Sequence, residues 1–333
     1  MLSSSTTAHS AASPLPGPAS ANPKPRLRLL RLRAASPVPS AALSARGRPP
    51  MCTVRASSAA GAGGWGAEAV GELATERLVE VAQRAADAAG EVLRKYFRQR
   101  VEIIDKEDHS ACYASLYFRT TLVISFCFRL GFGEENGWRC AESSADYVWV
   151  LDPIDGTKSF ITGKALFGTL IALLHNGKPV IGVIDQPILR ERWIGVDGKQ
   201  TTLNGQEISV RSCNLLAQAY LYTTSPHLFE GDAEDAFIRV RNKVKVPLYG
   251  CDCYAYALLA SGFVDIVVES GLKPYDFLSL VPVIEGAGRS ITDWRGDKLL
   301  WPVTAESRPT SFNVVAAGDA RVHKQALDAL QWR

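Results

Sequence analysis

The sequence predicts a layered sandwich of helices and strands, of the α/β or α+β class. Three observations carry the prediction. Residues 68–98 place apolar side chains at helical spacing, short apolar runs further on end in turn dipeptides, and those runs then alternate with helical segments to the end of the chain. Alternation of this kind builds stacked layers that share cores.

In chain order, Leu78, Val81, Ala82, Ala85, Ala89, Val92 and Phe97 recur at offsets of three, four and seven, the mark of an amphipathic helix. Gly90 weakens it only slightly. The apolar run 147–151 reads as a buried strand ending at Asp152-Pro153. Runs 167–174 and 180–184 read as two strands with a turn at Asn176-Gly177. Asp197-Gly198 and Asn204-Gly205 are further hairpin signals. Beyond them the pattern predicts a strand at 219–223, a helix at 233–243 and a helix at 254–261 stopped by Gly262. A strand at 264–268, a helix at 277–287, strands at 290–292 and 313–317 and a helix at 320–330 close the chain. No internal repeat is visible.

The 333 residues suit one large domain or two intimate ones, and 47% of them are apolar, enough for a sizeable core. The formal charge of +3 is unevenly spread. No acid precedes Glu68, whereas Lys24, Arg26, Arg28, Arg31, Arg33, Arg46, Arg48 and Arg55 do. Setting those eight aside leaves 29 basic against 34 acidic residues, a net of −5. The body therefore offers no reason to expect nucleic acid as a partner. An Arg- and Ser-rich, acid-poor start reads as an organelle transit peptide over residues 1–55, followed by one domain over 68–331. The seven cysteines form no C-x-x-C pair and no His-flanked zinc pattern, so they read as reduced thiols, with Cys251 and Cys253 flanking Asp252 the one pair of interest.

The strongest chemical signal runs from Trp149 to Phe160. Asp152 and Asp155 follow a strand, and Pro153 biases Asp152 toward an extended backbone. Gly156 lets backbone approach a ligand. Residues 157–160 can open a helix, whose first N–H groups favour an anion such as phosphate. Clustered hard oxygens beside an anion site suit Mg²⁺, which takes a few carboxylates, waters and a substrate phosphate. Two further segments hold acids in matching contexts. Gly133-Glu134-Glu135-Asn136-Gly137 precedes the 147–151 strand, and the run from Glu269 to Tyr275-Asp276 follows the 264–268 strand.

G-E-E, then D-P-x-D-G-T-x-x-F, then an aromatic-Asp opening a helix resembles the inositol monophosphatase family, over about residues 70–331. The resemblance implies an αβαβα sandwich like that of the inositol monophosphatases and fructose-1,6-bisphosphatases, a Mg²⁺-dependent phosphomonoesterase activity and a homodimer. It assigns Glu134 to a first metal, Asp152 to a bridging position, and the carbonyl of Ile154 to a metal. Asp155 and Asp276 go to a second metal, and Glu135 stands behind the ligands. Gly156 and Thr157 supply phosphate-binding amides, with the Thr157 hydroxyl near the attacking water. Such ions neutralise the ester's charge and make hydroxide available near neutral pH. Glu134, Asp152, Asp155 and Thr157 are thus the candidate catalytic residues. No Ser-His-Asp or Cys-His arrangement competes with them.

Glu269 matches the family position facing the substrate's non-phosphate part. Asp252, in Gly250-Cys251-Asp252-Cys253-Tyr254, stands where sugar-alcohol phosphatases of the family carry a small uncharged residue. Two acids suit a cationic ester through charge-assisted hydrogen bonds, although Asp252 would also serve as a helix N-cap. This segment is similar to that of plant histidinol-phosphate phosphatases, implying hydrolysis of L-histidinol phosphate in histidine biosynthesis, in the plastid. Inositol or L-galactose 1-phosphate are the alternative esters.

The chain departs from the family in two places. Lys106, Asp108 and Ser110 match the start of a further family motif, but its Pro, Thr and Asp are missing. Residues 111–132 form an atypical stretch with Arg119 and Arg129 inside and a continuous apolar run at 122–128. A membrane span needs about 20 apolar residues, so a buried strand is the better reading. The abrupt change points to an altered transcript, and to a chain whose activity is impaired. Arg289 stands where the family has Gly, which predicts strain if φ there must be positive.

Overall fold

The computed structural model describes residues 67–99, 146–302, 304 and 307–333, with short strands at 104–105, 111–112, 131–133 and 137–139. The run 1–55, Lys106, Asp108, Ser110, Glu134, Glu135 and the apolar run 122–128 lie outside the described residues.

The elements are α1 (Ala67–Tyr96), β1 (Ile104–Asp105), β2 (Ala111–Cys112), β3 (Gly131–Gly133), β4 (Gly137–Arg139), β5 (Tyr147–Asp155), α2 (Thr157–Ile161), β6 (Gly168–His175), β7 (Lys178–Gln186), β8 (Glu191–Val196), β9 (Thr202–Leu203) and β10 (Gln206–Glu207). There follow β11 (Tyr220–Thr223), α3 (Asp232–Arg241), β12 (Val246–Tyr249), α4 (Cys253–Ala260), β13 (Ile266–Leu272), α5 (Pro274–Phe277), α6 (Leu280–Gly286), β14 (Ser290–Asp293), β15 (Phe312–Ala317) and α7 (Ala320–Leu330).

Among the described residues the strands form a two-stranded ladder, an eight-stranded sheet ordered β10-β9-β8-β7-β6-β5-β3-β4 and a five-stranded sheet ordered β12-β11-β13-β15-β14. The larger sheet is antiparallel except for β3 beside β5. Side chains along a strand alternate between faces, and that alternation sorts the layers. Trp149, Leu151, Ile171, Leu173, Ile181 and Val183 bury against Ala82, Ala85, Ala86 and Ala89 of α1. Val148, Val150, Leu170 and Ile184 point the other way, into a core shared with α4, α5 and α6 and with Val267, Val314 and Ala316 of the smaller sheet. Ile266, Val268, Val315 and Ala317 face a third core with α3 and α7. The order is helix, sheet, helices, sheet, helices, the αβαβα sandwich expected.

The middle layer sits close to the large sheet because glycine permits it. Gly182 and Gly195 pair across β7 and β8. A methyl on Gly182 would lie 1.9 Å from the Ser279 carbonyl oxygen, and one on Gly195 2.3 Å from the Pro282 carbonyl. Both would overlap backbone, so α6 lies directly on the sheet.

Three expectations change. The helix expected at 277–287 is two pieces, α5 and α6. Pro282 is the third residue of α6, where a missing N–H costs nothing, so the chain starts a helix afresh at Leu280. Strands β8 and β12 were not expected. β12 carries Pro247, tolerated because β12 is an edge strand. Arg289 is not strained: Gly288 takes the positive φ of 96°, Arg289 keeps a negative one, and its guanidinium donates to the Gly318 and Gly288 carbonyls at 3.0 and 2.7 Å.

No described helix is long and apolar enough to cross a membrane.

Candidate metal centre

β5 runs to Asp155, so the two aspartates lie within the strand rather than beyond its end. Asp152 pairs with Leu170 and Asp155 with Gly168, so β5 spends one extra residue between them. Such a bulge re-aims side chains, and bulges are common beside active sites. Pro153 brings no N–H into the irregularity, and its carbonyl is satisfied by the Thr169 hydroxyl at 2.9 Å. Gly156 then takes φ 81°, which glycine adopts without strain, and α2 begins.

The bulge brings Asp152 and Asp155 to Asp276 at the start of α5. One carboxylate oxygen from each lies within 4.8 Å of the others. Asp152 is 3% exposed, and its Oδ1 accepts from the Ile154 amide at 2.9 Å. Asp155 Oδ2 accepts from the Cys253 amide at 2.6 Å, and the Cys253 thiol and Gly156 amide also bond to this carboxylate. Asp276 Oδ2 accepts from the Lys273 amide at 2.7 Å. The Thr157 hydroxyl donates to the Ile154 carbonyl at 2.9 Å, leaving that oxygen a second lone pair.

Asp252 stands beside this group. A methyl on Gly156 would lie 2.9 Å from its Oδ2. Asp252 does occupy the N-cap position of α4, but its side chain makes no capping bond; Oδ2 instead accepts from the Ser159 hydroxyl at 3.2 Å. Gly250, Cys251 and Asp252 all have positive φ, at 99°, 83° and 43°. For the two non-glycines that conformation is costly. Glu269, 2% exposed, is also at a bulge, in β13. It accepts from the Thr223 hydroxyl at 3.0 Å and from the Thr224 amide and hydroxyl at 2.5 and 2.9 Å.

Crowding of acids in a buried place sets the electrostatics. Burial raises Asp155 above the usual carboxylate range, against the pull of its three donors. Burial, then the charge of Asp155, pushes Asp252 up to about 7, while Ser159, Lys158 and Lys164 pull it down. Burial pushes Glu269 up to about 8. The Cys253 thiol rises well above its ordinary value through burial and the neighbouring aspartates, so it is a thiol rather than a thiolate. The Tyr256 hydroxyl is buried without a partner among the described residues, and burial, then the charges of Glu269, Asp155 and Asp276, holds its proton on.

A divalent cation fits this donor set: three hard carboxylates in reach of one another, with no imidazole or thiolate among them. The structure thus brings Asp152, Ile154, Asp155, Gly156, Thr157, Asp252 and Asp276 to one place, with Glu269 behind them. Four participants carried no assigned role in the sequence. Ser159 holds Asp252, Cys253 holds Asp155, and Thr223 with Thr224 hold Glu269. The sequence signal for the first two was only their position inside the quoted motifs.

An α/β sandwich whose bulged strand presents an aspartate cluster at a helix start offers a candidate site for a divalent cation. Comparison with known proteins agrees. The model of the inositol monophosphatase family matches residues 74–332. Bifunctional phosphatase IMPL2, chloroplastic, of Arabidopsis thaliana is 64% identical over 262 residues, which cover 77% of this chain and 76% of that one. A histidinol-phosphatase of Chlorobaculum parvum is 29% identical over 232 residues, 66% of this chain and 86% of that one. Among solved structures, an inositol monophosphatase from Zymomonas mobilis superposes with a TM-score of 0.66 at 41% identity, covering 78% of this chain and 99% of that one. The chain belongs to the inositol monophosphatase family, whose members are phosphoric monoester hydrolases acting on small phosphate esters.

Proposed function

We propose that the chain hydrolyses L-histidinol phosphate to L-histidinol and phosphate, using Mg²⁺. The observation that carries the substrate is Asp252, an acid set against Gly156 and beside Asp155. A cationic group on the ester would lie between its carboxylate and the reacting phosphate. Relatives named histidinol-phosphatase support the same reading.

Glu134, Asp152, Asp155, Asp276 and the Ile154 carbonyl would hold the metal, which supplies charge neutralisation for the phosphate and a water made more acidic. The chain's own groups do the rest. The Gly156 turn and the amides opening α2 receive the phosphate. Thr157, fixed through its bond to the Ile154 carbonyl, stands at the side where water approaches. Cys253 fixes the Asp155 carboxylate through its amide and thiol. Asp252, steadied by Ser159, accepts from the substrate's ammonium or imidazolium. The acid-poor leader and the chloroplastic relative support a plastid location, and a homodimer is the proposed assembly.

Phosphate release from L-histidinol phosphate, with and without Mg²⁺, tests the reading, beside inositol 1-phosphate and L-galactose 1-phosphate. The amine-bearing ester should be preferred, Mg²⁺ should be required, and Asp155→Asn should abolish release. Equal rates on the sugar-alcohol esters would refute the substrate. The missing Thr and Asp beyond Ser110 favour a second reading, a chain that binds metal and turns over slowly. One lost positioning group costs about 10²-fold in rate. Full metal binding with little phosphate release would select it.

A further inference from the structure

On the face of the large sheet opposite the carboxylate cluster lies a cavity of about 260 Å³. It is bounded by α1, by the connection between β7 and β8 and by the turn between β9 and β10. Asp185 shares this face with Ile181 and Val183, which bury under α1. Asp185 is 4% exposed and lines the cavity. Its Oδ1 accepts from Arg192 Nε at 2.7 Å, but Oδ2 is fully buried and has no hydrogen-bond partner among the described residues. Buried polar atoms are nearly always satisfied, so an unsatisfied one asks for an explanation. Arg192 does not bond to it. Its guanidinium is engaged by Asp185 Oδ1, by Asp87 at 2.8 Å and by the Gln83 carbonyl at 3.4 Å.

Two more guanidiniums line the same cavity. Arg94 makes one long hydrogen bond, 3.5 Å to the Pro187 carbonyl, and its charge also acts on Asp185. Arg190 makes no ion pair among the described residues, yet its backbone is fixed at φ 58°. Asn204 holds it there, donating to the Arg190 carbonyl at 3.0 Å while accepting from the Arg192 amide at 3.0 Å. The cavity therefore offers one buried acceptor that needs a cationic donor and two guanidiniums that suit an oxyanion. Burial holds the Asp185 carboxyl above its ordinary range, which an ammonium on Oδ2 would reverse. The volume is small beside ligand pockets of roughly 300–1,000 Å³, so the ligand is small.

We propose that this cavity binds a free α-amino acid, its ammonium donating to Asp185 Oδ2 and its carboxylate lying against Arg94 and Arg190. An aminoalkyl phosphate carries the same pair of charges, and the experiment separates the two sources.

The full chain is titrated calorimetrically, and its melting followed, with each of the twenty protein L-amino acids, phosphoethanolamine, methylamine and acetate. At least one amino acid should bind ten times or more tightly than methylamine or acetate. Asp185→Asn and Arg190→Gln should each weaken that binding at least tenfold; if the buried variant does not fold, exposed Arg190→Gln carries the test. Binding of phosphoethanolamine without any amino acid would overturn the proposal, as would binding of none of the probes. So would amino-acid binding lost in Asp252→Asn but kept in Arg190→Gln, which would place it at the carboxylate cluster. None of these readouts depends on phosphate release.

Discussion

Replacing Asp252 by Asn removes a charge while keeping the side chain's shape. In the wild type, the carboxylate accepts from Ser159 and lies beside Asp155, and its ionisation is pushed up to about 7. It is therefore largely ionised by about pH 8. A hydrogen bond between this carboxylate and a substrate cation contributes about 1.5–3 kcal/mol. At about 1.4 kcal/mol per factor of ten, its loss lowers kcat/KM for L-histidinol phosphate roughly 10- to 100-fold. A neutral ester has no such bond to lose. For inositol 1-phosphate the variant also removes one negative charge from the approach to a phosphate dianion, so kcat/KM holds or rises slightly. The ratio of the two kcat/KM values, measured at about pH 8 with saturating Mg²⁺, should fall about 10- to 100-fold. Equal losses on both esters would show that Asp252 only shapes the loop, and the argument from charge would fail.

Three further outcomes follow from packing and electrostatics. Gly182→Ala drives a methyl to 1.9 Å from the Ser279 carbonyl and should cost about 3 kcal/mol or more, several degrees in Tm by scanning calorimetry. Glu269 is raised from 4.5 to about 8, so the folded state holds an extra proton between those values, and stability falls as pH rises from about 4.5 through about 8. Glu269→Gln should flatten that slope in denaturant titrations across the range, by an amount on the order of 5 kcal/mol in total; an unchanged slope would count against it. Arg289→Gly should lower stability by about 1 kcal/mol rather than raise it, because it loses the bonds to Gly318 and Gly288 and frees the unfolded chain. A gain in Tm would contradict the negative φ at that position.

Much of the architecture was readable because periodicity follows burial. Ala82, Ala85 and Ala89 announce the face that α1 buries, and the run 147–151 announces a strand with apolar side chains on both faces. Where local signals conflict with neighbours, reading failed. Pro247 argues against a strand that an edge position allows, and Pro282 sits inside an expected helix that the chain resolves by starting α6 afresh. The candidate site shows the same division. Asp152, Asp155 and Asp276 were legible because hard acids at strand ends and helix starts imply few other chemistries. Cys253, Ser159 and the threonines around Glu269 were not, since their roles arise from contacts across tens of residues of chain.

By itself the sequence determined the layers, the family-like order of its acidic motifs and the kinds of atoms offered to a cation. The tertiary structure decided which of those atoms meet. It bulged β5 so that two aspartates turn toward a third, and it buried the Glu269 carboxylate among hydroxyls. It also left one oxygen of Asp185 without a partner among the described residues. The reason is physical: spacing along a chain sets which face a side chain takes, whereas burial and charge depend on what other segments bring to that face.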